Sequence, residues 1–184
     1  MTGTAGGGPI GGSDDARLVY LRRLGFDSLE HDSHVPFLSH LVGTARLLRR
    51  WGSDGHLCDA GLFHSVYGTE YFEPSDSADP AEVRELIGPQ AERVAWLWCT
   101  IRRDTLDPDA RAAIDRRSGD VLSMTGVELG DVATLWAADT VEQIERMTAE
   151  ERSFAGGLQR VVHAASAPAQ DAVAALGDAL PEGA

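Results

Sequence analysis

From Phe37 to Trp51 the apolar residues Phe37, Leu38, Leu41, Val42, Ala45, Leu48 and Trp51 recur at steps of three and four, the spacing of one helix face. Pro36 suits a first helical turn and Gly52 a C-terminal stop, so this stretch is predicted to be a helix. Ser13 offers a cap for an earlier helix ending at Gly25. Asp54 offers one for a following helix in which Leu57, Ala60, Gly61, His64 and Tyr67 share a side and Gly68 is the stop. Beyond an acidic loop over 69–78, Asp79-Pro80 reads as N-cap and first turn. Gly88 ends that helix, and Pro89 opens another carrying Val94, Leu97, Trp98 and Ile101.

Asp107-Pro108 repeats the start signal. Thr125 with Glu128, and Thr148 with Glu151, have capping-box spacing. They predict a long helix through Val132, Leu135, Trp136, Asp139 and Ile144, then one through Leu158, Val161 and Val162. No run alternates as a half-buried strand does, and no hairpin dipeptide joins two strand-like runs. The pattern predicts an all-α chain: one compact domain of about six to eight helices over 13–165, after a disordered Gly-rich tail (1–12) and before an Ala-rich tail (166–184).

Composition narrows the function classes. At 184 residues with 43% hydrophobic content, a chain buries about two-thirds of its unfolded surface and needs no staples. Sixteen basic residues against 29 acidic ones give a net charge of −13, a field that repels phosphate backbones and anionic lipid. Neither nucleic acid nor a membrane is an expected partner. Cys58 and Cys99 are widely spaced, which argues against a thiolate metal site or a disulfide framework. No signal peptide is evident, and the apolar run from Val94 to Cys99 falls far short of the roughly 20 residues that cross a bilayer. A cytoplasmic location is expected.

Candidate chemistry lies with the histidines. His40 sits mid-helix among Leu38, Leu41 and Val42, and His64 is expected in the middle of the next helix, with the apolar string Ala60-Gly61-Leu62-Phe63. Two consecutive helices of this length pack antiparallel through a short connection, so two inward imidazoles are able to converge. Imidazole is the commonest protein ligand for metals. The alternative is that each is a satisfied core residue. Asp139 is a carboxylate inside Leu135-Trp136-Ala137-Ala138-Asp139, where burial calls for a cation or a hydrogen-bonding partner, unless it sits at a wet helix edge.

The stretches HVPFLSHLVGTARLLRRWG (34–52), CDAGLFHSVYGTEYF (58–72) and, more generically, LWAADTVEQIE (135–145) together resemble the HD-domain superfamily of all-helical metalloproteins. They especially resemble an uncharacterised family of small bacterial HD-like proteins. The resemblance covers roughly residues 30–145. It implies one or two divalent metals held by a first His, a His-Asp dyad and a late Asp, which activate water against phosphate esters or, in some branches, bind iron for oxidation. It places His40, His64 and Asp139 in the first, second and last of those roles. Ser65 stands where the dyad has Asp, and a neutral hydroxyl is a poor ligand for a hard cation. A single-metal site of two histidines and one carboxylate is therefore expected.

Around these ligands, His34, Glu70 and Thr44 are the candidate catalytic residues. His34 precedes the helix of His40, and Thr44 lies one turn beyond it. Glu70 follows Gly68 at a loop rim. Each has a plain alternative: a loop histidine, a hydroxyl bonded back to its helix, and a solvated charge. Arg102 and Arg103 read as cations at a helix C-terminus. The expected function is a small metal-dependent enzyme acting on a small polar substrate, with hydrolysis favoured. Iron-dependent oxidation on the same ligands and a degenerate binding protein are the alternatives. Mn, Fe, Zn and Ni are not distinguished, and a homodimer stays open.

Overall fold

The computed structural model describes residues 10, 15–28, 30–31, 35–70, 72–74, 78–148, 152, 155 and 157–180. The Gly-rich segment 1–12 lies outside them apart from Ile10, as do His34 and Glu151 of the Thr148–Glu151 cap. The chain divides into two compact units, Met1–Cys99 and Thr100–Ala184.

The first unit is helical. Helix α1 (Ala16–Arg23) is capped by Asp15, whose side chain accepts from the Arg17 backbone N–H; the expected cap, Ser13, is outside the described residues. Its end is a Schellman turn: Gly25 at φ +84° donates to Arg22, and Phe26 donates to the Leu21 carbonyl. A two-residue antiparallel pair, β1 (Glu30–His31) with β2 (Val35–Pro36), leads into α2 (Phe37–Arg50). The end of α2 repeats the device. Gly52 at φ +76° donates to Arg49 and Ser53 to Leu48, so both glycine stops act as the sequence indicates.

Helix α3 (Gly55–Phe63) is shorter than its periodicity suggests. It stops at Phe63 with His64 as C-cap, and residues 64–67 continue as turns. Gly68 (φ +77°) donates to Ser65, while the His64 carbonyl, which a continuing helix would offer to Gly68, accepts the Cys99 thiol at 3.1 Å. Helix α4 (Pro80–Thr100) runs through a break at Gly88 (φ 81°, ψ 161°) immediately before Pro89. Asp79 caps it through the Ala81 N–H.

Helices α2 and α3 pack against one another, and Gly61 lets them come close. A methyl group there would lie 2.5 Å from Leu48 Cδ1 and 3.5 Å from the Ala45 backbone. The interior around this contact is apolar and shut, with Leu41, Ala45, Leu48, Ala60, Leu62 and Phe63 all at 0% exposure.

The second unit holds what the sequence pattern did not disclose, a three-stranded antiparallel sheet. Its order is β3 (Ile101–Asp107), β4 (Ala112–Asp115) and β5 (Val121–Ser123). Asp107-Pro108 is therefore a hairpin turn and not a helix start, and Arg102 and Arg103 lie in a strand. The Asp107 carboxylate accepts from the N–H groups of Asp109 and Ala110, the same bonds a helix N-cap makes. Its capping chemistry is real, but no helical apolar face follows it. The ladder shifts register between Arg102 and Asp107, where Thr105 Oγ1 accepts from the Ile114 N–H. A shifted register breaks the period-2 pattern by which a strand is recognised.

Helix α5 (Gly126–Gln143) carries the expected capping box, with Glu128 N donating to Thr125 Oγ1 and Thr125 N to the Glu128 carboxylate. Helix α6 (Leu158–Val161), a 3-10 turn over Val162–Ala164 and α7 (Ala167–Leu176) follow. The described residues are mostly helical, with this three-stranded sheet and the short β1–β2 pair.

Candidate metal centre

His40 projects from the first turn of α2, not from mid-helix as expected, and His64 from the C-cap of α3; both are 2% exposed. Their Nε2 atoms lie 3.1 Å apart with the rings nearly perpendicular. The His64 ring is oriented from behind, since Nδ1 lies 2.6 Å from the Gly61 carbonyl, which only accepts. Nδ1 thus carries the hydrogen, and the Nε2 lone pair of neutral His64 faces His40. Without a ligand, the neutral pair has His40 donating from Nε2.

The same arrangement suits a shared cation. Metal–nitrogen bonds of about 2.0–2.1 Å place two imidazole nitrogens on one ion roughly 2.9–3.4 Å apart, between right-angle and tetrahedral geometry. A backbone carbonyl on the far ring nitrogen is the usual support of a ligating histidine.

The surroundings fix the pair. The Phe37 ring meets His40 edge-on, and that of Trp98 meets His64. Helix α4 grips both ends of the turn that bears His64. Cys99 Sγ donates to the His64 carbonyl, and the buried Glu92 accepts the Tyr67 hydroxyl at 3.1 Å while its other oxygen pairs with Arg84 at 2.9 Å. Burial, reinforced by the Glu92 charge, raises the Tyr67 phenol well above the ordinary tyrosine range. Glu92 and Tyr67 gave no sequence signal as a pair, because 25 residues and a long loop separate them.

Ser65 is buried beside His64 and adds a hydroxyl where a carboxylate would add charge. Thr44 is wholly buried in α2, one turn from His40. Thr69 is buried and its N–H donates to the Phe72 carbonyl; Glu70, next along, is half-buried. Phe72 stacks on Phe37 with centroids 4.4 Å apart, so the segment after Gly68 folds back onto the helix of His40.

In the second unit Asp139 is buried in α5 at 7% exposure, and its Oδ2 accepts from Gln143 one turn on. Glu142 is paired with Arg146 at 2.6 Å. His40 and His64 of the first unit and Asp139 of the second are each buried, and imidazole and carboxylate are donor types that hold divalent metal ions. Among the described residues, no helix is long and apolar enough to cross a membrane.

Comparison with known proteins gives a family match and a fold. Residues 20–103 match the model of a domain of unknown function, DUF6817. No curated protein sequence matches the chain. Among solved structures, the chain is similar to a metazoan SpoT orthologue that is described as hydrolysing ppGpp and playing a role in starvation responses. The TM-score is 0.56 at 13% identity, over 90% of this chain and 96% of that one. The fold is HD-domain-like.

Proposed function

We propose that the chain is a metal-dependent, hydrolase-like enzyme in which His40, His64 and Asp139 hold one divalent cation and a small polar molecule is the substrate. The observation that carries the reading is the buried His40–His64 pair, with Nε2 atoms 3.1 Å apart and the His64 ring set by the Gly61 carbonyl. The HD fold supports it, and so does the hydrolytic activity described for the metazoan SpoT orthologue.

A divalent ion in such a set supplies Lewis-acid polarisation and a nucleophile from water near neutral pH. The chain's own residues do the rest. The Gly61 carbonyl holds the hydrogen of His64 on Nδ1 and so keeps its Nε2 a donor of electrons. Asp139 brings the one negative charge of the set, and Gln143 orients that carboxylate. With Ser65 in place of a second carboxylate, the set suits one ion rather than two. Glu70 is assigned as the acid/base at the rim, and His34 as an auxiliary base.

The test is turnover of a panel of small phosphate esters by metal-loaded protein. Hydrolysis that chelation stops and Mn²⁺ restores, and that His64→Ala lacks, is the expected result. Turnover indifferent to chelation would contradict it. A second reading, a binding protein without catalysis, is favoured by the buried Ser65. It predicts metal uptake with no turnover.

A further inference from the structure

The Thr44 hydroxyl is at 0% exposure, and its Oγ1 has no hydrogen-bond partner among the described residues. A threonine inside a helix ordinarily bonds to the carbonyl four residues back. For Thr44 that carbonyl belongs to His40, and the bond is not made. Leaving a buried hydroxyl unpaired costs about 1–3 kcal/mol, and valine would fill nearly the same volume without that cost. The position is not a general polar site. Its helix neighbours Leu41, Ala45 and Leu48 are apolar and fully buried. What distinguishes it is its place on the face of α2 that bears His40, one turn away.

Resting on the metal reading of that centre, we propose that Thr44 is a ligand-contacting residue. Its hydroxyl donates to an oxygen of the small molecule that occupies the centre, and it is paired only when that molecule is present. The class of ligand follows from the chemistry. A cation at the histidines draws in an oxygen with lone pairs, either water or an oxyanion. That oxygen then needs a donor on the side away from the ion. A hydroxyl supplies one without adding charge, and Ser65, buried beside His64, likewise adds none. Thr44 thus serves an oxygen ligand in a neutral wall, where an acidic side chain would repel an anion and compete with it for the cation.

The test uses full-length wild type, Thr44→Val, Thr44→Ser and His40→Ala. Each is titrated calorimetrically with Mn²⁺ alone and with inorganic phosphate in the presence of Mn²⁺, and the melting temperature of the metal-free protein is recorded. Thr44→Val is expected to melt no lower than wild type when metal-free, because the unpaired hydroxyl is gone. Its affinity is expected to fall about tenfold in one of the two titrations, the worth of one hydrogen bond, with recovery in Thr44→Ser. Weakened binding of Mn²⁺ alone identifies the acceptor as water; weakening confined to phosphate identifies an oxyanion. Thr44→Val that binds like wild type in both titrations overturns the proposal. So does Thr44→Val that melts lower when metal-free, since its hydroxyl is then bonded within the fold. Wild type that takes up no Mn²⁺ overturns the metal reading and this proposal together, whereas binding lost in His40→Ala but intact in Thr44→Val overturns this one alone.

Discussion

The two nitrogens of His64 have different work: Nδ1 is committed to the Gly61 carbonyl and Nε2 is left for His40 or a shared ligand. Tyr67, three residues on, is held the same way, with its hydroxyl on the buried Glu92. This bond has a consequence for stability. Burial and the Glu92 charge raise the phenol in the native protein, while in the unfolded chain it ionises near the usual pKa of about 10. Above that pH the unfolded state sheds a proton that the native state keeps, so unfolding becomes easier as pH rises. Tyr67 contributes full stabilisation below about pH 10 and progressively less above it. Tyr67→Phe is expected to flatten the fall in urea midpoint between pH 9 and 11. Burial also raises Tyr20, which leaves part of the slope in place. An unchanged slope would show that the phenol ionises normally.

At the scale of elements, the site depends on how closely α2 and α3 approach. Gly61 faces Leu48 and Ala45, and a methyl group there would press on Leu48 Cδ1, which has no room to leave a fully buried core. Gly61→Ala is expected to cost about 1–3 kcal/mol by overpacking, read from urea unfolding. It is also expected to weaken metal binding, because the displaced α3 carries His64. Loss of stability with metal affinity intact would mean that the helix spacing does not set the pair. The helices themselves were legible in sequence wherever a periodic apolar face ended in glycine, as at Gly25 and Gly52, or began with a cap, as at Thr125 and Asp79. Two elements were not. Asp107 makes N-cap bonds in a hairpin, and a side chain's capping preference does not tell a turn from a helix. The end of α3 at Phe63 depends on the Cys99 thiol, a partner 35 residues away that no local pattern reveals.

For the whole molecule, the helical class and the place of His40 within α2 were readable from periodicity, whereas His64 is the C-cap of α3 and not a residue inside it. The sheet was not readable, since its register shift and short strands erase alternation. The supports of the pair, Glu92, Tyr67 and Cys99, were not readable either, because each acts across a long stretch of chain. A net charge of −13 favours a cation near the protein and disfavours polyanions, in keeping with a metal-binding centre.

The central claim is that His40, His64 and Asp139 bind one divalent ion. It is tested most directly by elemental analysis of tag-free protein purified without chelator, beside His40→Ala, His64→Ala and Asp139→Ala. The account predicts close to one equivalent of a single divalent metal in the wild type, and little or none in either histidine variant. Asp139→Ala is predicted to retain metal only weakly. Metal-free wild type that shows no thermal shift with Mn²⁺, Fe²⁺, Zn²⁺ or Ni²⁺ would contradict it, and the two imidazoles would then be partners of each other alone.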